Sequence, residues 1–169
     1  MHIPSHILSE VRDIFAMLHD GEVAKCTGDR GRLTLEVNCE YLAERINKSF
    51  TSFFVECTNI DKLEFHPWMN PSTLPQRIDT EIKAIFNKGL EILAAGIEDD
   101  FVKITCNQHN HHFDFCGGSL FLSCQSITIF DQDMNALTIT ELVKCAGAIG
   151  RILAEKKSRV IIKVNPNNQ

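Results

Sequence analysis

The sequence predicts an α+β domain: a mainly antiparallel, curved β-sheet of about eight strands, with an N-terminal helix, two middle helices and a long C-terminal helix packed on it. Three observations predict it. Leu33, Leu35 and Val37 alternate with Thr34, Glu36 and Asn38, the pattern of a strand with one wet face. Apolar residues at three- and four-residue spacing mark helices near both ends, over 5–18 and 138–157. Between them the strand-like runs are grouped instead of alternating with helices, which favours α+β over a parallel α/β sheet.

The elements follow in order. Over 5–18, Ile7, Val11, Ile14, Phe15 and Leu18 share one helical face, with Ser5 placed to cap its start. His19-Asp20-Gly21 ends that helix, because glycine accepts the left-handed backbone found after helix C-termini. Strands over 22–27 and 32–38 flank the Gly28-Asp29-Arg30-Gly31 turn. Residues 39–47 read as a short helix through Leu42 and Ile46, and 50–58 and 62–66 as two strands rich in aromatic and β-branched residues. Pro67, Pro71 and Pro75 make 67–75 a stiff loop, too short to divide domains. Ile78, Ile82, Ile85 and Phe86 then form a helical stripe between Pro75 and Gly89. Strands over 90–97 and 101–107 flank the Glu98-Asp99-Asp100 hairpin turn, and strands over 112–116 and 120–130 flank Gly117-Gly118, a turn or bulge signal. Thr138 and Glu141 have capping-box spacing, in which each side chain satisfies the other residue's free N–H. Lys156 and Lys157 close that last helix where its dipole favours cations, and 159–164 reads as a terminal strand.

The 169 residues fit one domain, 1–169, with enough chain to bury a core unaided. No apolar run reaches the ~18 residues needed to cross a bilayer. Met1-His-Ile-Pro-Ser-His6 does not resemble a signal peptide, so the expected compartment is the cytoplasm. Seven irregularly spaced cysteines then read as buried thiols serving as small hydrophobes. A net charge of −5 argues against nucleic acid as a partner, since phosphate binding needs a basic face.

The densest chemical cluster is Cys106-Asn-Gln-His109-Asn-His111-His112. Sulfur and imidazole at short spacing suit zinc. In a hairpin turning at 108–110, Cys106 would lie opposite His112, their Cβ atoms about 5 Å apart. His109 could lean in from the turn, while Cys116 would lie at least ~13 Å along the strand. Cys106, His109 and His112 are therefore the candidate metal set, against the plainer reading of a polar hairpin tip. Cys106 with His112 as a nucleophile and base lacks an orienting partner and an oxyanion hole.

Asp131-Gln-Asp133-Met-Asn135 opens like a calcium-binding EF-hand loop, but Ala136 and Leu142 stand where glycine and the bidentate glutamate belong. His19-Asp20 invites comparison with the metal-dependent HD phosphohydrolases, which are all-helical and need further ligands from other helices. No phosphate-loop, dinucleotide-binding or nucleophile-elbow motif occurs. Phe65-His66-Pro67-Trp68-Met69 carries the one tryptophan, and His66, Trp68 and Met69 are the candidate interaction residues, because tryptophan is enriched at binding hot spots. The competing reading is a tryptophan that seals the core beneath its own loop.

Leu18-His19-Asp20-Gly21-Glu22-Val23, the strand Leu33–Val37 and Tyr41-Leu42-Ala43-Glu44 together resemble small uncharacterised bacterial proteins in which an H-D-G turn opens a sheet. Some of those are grouped with immunity proteins of polymorphic toxin systems. The resemblance covers roughly the first 70 residues and carries no functional residue over. It implies a non-catalytic binder that occupies a partner's surface, and the chain's acidity would suit a basic protein partner such as a nuclease. The alternative expectation is a metal-binding protein using Cys106, His109 and His112.

Overall fold

Strand pairing organises the chain into a ring. The computed structural model describes residues 4–147. Among these, seven strands are present: β1 (Glu22–Gly28), β2 (Arg32–Asn38), β3 (Ser52–Met69), β4 (Leu90–Glu98), β5 (Phe101–Gln108), β6 (Phe115–Phe130) and β7 (Ala136–Leu137). They pair in the order β3-β2-β1-β4-β5-β6-β7, and β3 also pairs with β6. That extra pairing joins β1, β2, β3, β6, β5 and β4 into a closed circuit, antiparallel throughout. The circuit is narrowest at β1–β4, where only Glu22↔Glu91 and Val23↔Leu90 pair. Backbone bonds from Asp20 N to Ile92 O and from Ile92 N to Gly21 O extend this seam slightly. Register shifts follow immediately in both strands, after Val23 in β1 and after Ile92 in β4, and bulges of this kind twist strands out of pairing.

Alternation decides what lies inside the ring. Leu33, Leu35 and Val37 of β2, Phe53, Val55, Leu63 and Phe65 of β3, and Val102, Ile104 and Cys106 of β5 are all buried. Helix α1 (Ser5–Met17) lays Leu8, Val11, Ile14 and Phe15 into the same core and packs across β4, β5 and β6. Helices α2 (Glu40–Ala43) and α3 (Ile82–Phe86) are single turns, and α3 lies beside β1. Helix α4 spans 139–147. Its capping box forms as expected: Thr138 N–H donates to Glu141 Oε2 at 2.8 Å and Glu141 N–H donates to Thr138 Oγ1 at 3.2 Å. The predicted remainder of that helix, to 157, and the predicted strand 159–164 fall outside the described residues.

Several expected boundaries are corrected. The strands predicted over 50–58 and 62–66 are one strand, β3, bent at Asn59 (φ 48°) and irregular between Ile60 and Lys62. Pro67 therefore sits in a strand, not in the loop predicted over 67–75. The segments 112–116 and 120–130 likewise merge into β6, which begins at Phe115 and runs through Gly117-Gly118 without a turn, although its register with β3 shifts there, between Pro67↔Gly118 and Met69↔Phe115, as a bulge signal predicts. Those glycines give room to rings. A Cβ on Gly118 would lie 2.5 Å from Phe65 Cζ on the inner face, and one on Gly117 would lie 3.2 Å from Trp68 Cε3 and 2.5 Å from Cys106 O. The helix expected from Ile78 onward starts only at Ile82. Asp79 exchanges backbone hydrogen bonds with Phe65, which holds this stretch extended, and Ile78 is exposed. Glu81 caps the helix instead, accepting from Lys83 N and Ala84 N. Ser5 does not cap α1: Pro4 occupies that position and makes no side-chain bond there.

Candidate functional site

One row of residues on the outside of the ring brings together the surface features that recognition needs. Directly paired residues in antiparallel strands point to the same face. Gly117↔Asn107, Asn107↔Glu91, Glu91↔Glu22 and Glu22↔Asn38 are such pairs, so β5, β4, β1 and β2 contribute one side chain each, and β6 a bare glycine, to a continuous belt. Their strand neighbours Cys106, Leu90, Val23 and Val37 are buried, which fixes the belt as the outer face. Trp68 stands at one end of it. Its indole lies over the bare backbone of Gly117 and keeps 44% of its surface exposed, so this tryptophan does not seal the core.

At the other end the belt opens into a cleft of about 410 Å³, walled by Asp20, Glu22, Asn38, Cys39, Glu40, Tyr41, Glu91 and His109. Four of these carry carboxylates and none is lysine or arginine. The turn and the bonds around the cleft set its shape. Tyr41 Oη donates to His19 O at 2.6 Å, fastening α2 to the His19-Asp20-Gly21 turn, where Asp20 adopts φ 61°. Burial pushes the Tyr41 phenol well above its ordinary value, with Cys39 and Asp20 adding to the effect, so the hydroxyl stays a donor. Glu91 Oε2 lies 2.7 Å from His109 Nε2 and accepts from Asn107 Nδ2 at 3.4 Å. Protonated His109 would pair with Glu91; the other three carboxylates have no cationic side chain in the cleft wall.

Beyond Trp68 the outer face continues as an aromatic patch. His66 packs edge-on to Phe121 with centroids 4.6 Å apart, and Phe121 meets Phe101 at 5.2 Å. Lys62 Nζ sits 4.1 Å above the Phe101 ring, and Glu64 Oε2 lies 3.2 Å from His66 Nε2. Such cover explains why Phe121, although outward-facing, is only 8% exposed. Of the three residues picked from the sequence for interaction, His66 and Trp68 thus share this surface. Met69 does not: it is buried and belongs to the core.

Cys106, His109 and His112 are not brought together. Cys106 pairs with Gly118, not with His112, because the β5–β6 connection runs from 109 to 114 and turns around Asn110. The Cys106 side chain faces the core, where burial pushes its thiol up to about 12, and its Sγ donates to Ile104 O. Buried and facing the core, it is held as a neutral thiol at neutral pH, on the opposite face from His109. His109 turns outward to Glu91, and His112 is exposed in the connection. Among the described residues no group of three His, Cys, Asp or Glu side chains could hold a metal ion. The EF-hand-like segment is a turn that satisfies itself: Asp131 Oδ1 accepts from Asp133 N and Asn135 N.

Glu22, Glu91 and Asn107 were not singled out from sequence. Nothing local marks them, since each is an ordinary polar residue of an alternating strand and only pairing across five strands lines them up. No family model, no curated protein and no solved structure matches this chain. No helix of the described residues is long and apolar enough to cross a membrane.

Proposed function

We propose that this chain is a non-catalytic protein-binding domain whose outer belt receives a basic partner protein, in the manner of an immunity-type protein that neutralises a toxin. The observation that carries the reading is the continuity of the belt from exposed Trp68, across Gly117 and Asn107, to the Glu22–Glu91 cleft. An aromatic anchor beside a field of one sign is the arrangement that gives interfaces both affinity and orientation. A lysine or arginine of the partner would enter the cleft between Glu22 and Glu40, while an apolar or flat side chain would rest on the indole. His66 and Phe121 extend the same contact surface.

Affinity capture from the chain's own host, at native abundance, tests this. The expected result is one basic protein recovered with the wild type, lost with Trp68→Ala, and released as salt is raised because the cleft's contribution is screened. A Glu22→Gln, Glu91→Gln variant should weaken capture at least about tenfold while leaving the fold intact. Recovery of no specific partner, or of a partner indifferent to both variants, would overturn the reading.

A further inference from the structure

A second cavity lies on the other side of His109, enclosed by the β5–β6 connection. It measures about 250 Å³ and includes Asn70, Gln108, His111, Phe113 and Cys116 in its wall. Its chemistry differs from that of the acidic cleft: no aspartate, glutamate, lysine or arginine lines it, and carboxamides and histidines meet the rings of Phe113 and Phe115. Gln108 is the telling residue. It ends the inward-facing series Val102, Ile104, Cys106 of β5, is 6% exposed, and its Nε2 finds no acceptor among the described residues. A buried amide donor left unpaired costs about 1–3 kcal/mol, so such groups are retained where something outside the chain satisfies them. An apolar residue of the same length would fill this core position without that cost.

We infer that the cavity walled by Gln108 and Phe113 is a binding site for a small, neutral, ring-shaped molecule bearing a carboxamide or lactam group. The reasoning is additive. The unfilled capacity is one amide donor, Gln108 Nε2, whose place exchanges with that of Oε1 if the side-chain amide is turned over, and an amide or lactam offers both an acceptor and a donor to meet either orientation. No aspartate, glutamate, lysine or arginine of the wall offers a counter-charge to a carboxylate or ammonium, and its His109 already lies 2.7 Å from Glu91. The volume suits one substituted ring, since about 150 Å³ already accommodates benzene. Phe113, partly exposed and tilted 34° against Phe115 at 5.3 Å, supplies an apolar wall for that ring. The cavity shares Asn107 with the belt and His109 with the acidic cleft, while Gln108 and Phe113 belong to neither.

The test uses benzamide, nicotinamide and uracil as probes, with benzoate and nicotinate as charged counterparts of the first two. In ¹H–¹⁵N spectra of the full chain, at least one neutral probe should shift the Gln108 side-chain NH2 signals in a saturable manner below about 10 mM, whereas the two acids should not. Gln108→Met, which keeps the length and removes the amide, should weaken binding at least about tenfold while retaining the dispersed spectrum of a folded chain. Phe113→Ala should weaken it without touching the Gln108 donor. Three results would overturn the inference: no saturable shift with any neutral probe, equal binding of the acids, or a Gln108 NH2 that shows exchange only with a bound water and ignores every probe.

Discussion

Gly118 shows how one missing side chain can set the geometry of two strands. The Phe65 ring occupies the space that a Cβ at 118 would take, with Cζ 2.5 Å and Cε2 2.7 Å from that position. Phe65 is fully buried and stacks edge-on with Phe115, so its ring has nowhere to retreat. Gly118→Ala is therefore expected to destabilise the fold by about 1–3 kcal/mol, the usual cost of overpacking a core, read as a lower urea midpoint with an unchanged slope. The sequence marked this glycine pair as a turn or a bulge: the chain makes no turn there, but the β3–β6 register does shift beside the pair. Paired glycines signal tight turns and close approaches equally well, and only the partner strand distinguishes them. Cys106 teaches the same lesson from the other side: the sequence placed it opposite His112, because the length of the connection, and with it the register that pairs it with Gly118, was not legible.

At the scale of elements, the features closed by neighbours in sequence were the readable ones. The Thr138–Glu141 box formed as its spacing requires, and the Leu33–Val37 alternation marked β2 and its buried face. The Asp131–Asn135 segment, which departs from the EF-hand pattern at Ala136 and Leu142, is a turn held by one carboxylate. Asp131 is 5% exposed, accepts from two backbone N–H groups and from Asn135 Nδ2, and leads into β7 and α4. Asp131→Ala strands those donors and is expected to cost about 2 kcal/mol in chemical unfolding, whereas calcium added to the wild type should leave its stability unchanged. What could not be read was the length of β3 and β6. Their continuity depends on each other's hydrogen bonds across Asn59 and across the glycine pair, and short-range patterns break there.

For the whole molecule, closure of the strands into a ring is the property least visible in the sequence, because β3–β6 and β1–β4 join segments far apart in the chain. The ring gives the protein an enclosed interior, and the interior holds thiols. Cys106, raised from 9.0 to about 12 by burial, is bound as a neutral group in the folded state. A folded value above the unfolded one contributes stability that is complete below pH 9.0 and is lost as pH climbs towards about 12. Over that window the wild type should lose stability more steeply than Cys106→Ala, by up to about 1.4 kcal/mol per pH unit, as followed by unfolding midpoints at stepped pH.

The narrow β1–β4 seam has a consequence for encounters between copies. Two residue pairs and the backbone bonds of Ile92 with Asp20 and Gly21 join β1 and β4, and just past them β4 presents Leu93 and Ile97 at 41% and 43% exposure. If the seam parts, the circuit becomes an open sheet with two free edges, one of them carrying those apolar side chains. The strand each edge has lost is then available on a neighbouring molecule, in the same register and with the same glutamates opposed. Strand exchange at this hasp would keep Glu22 opposite Glu91, so the like charges weigh equally against the join within one chain and between two.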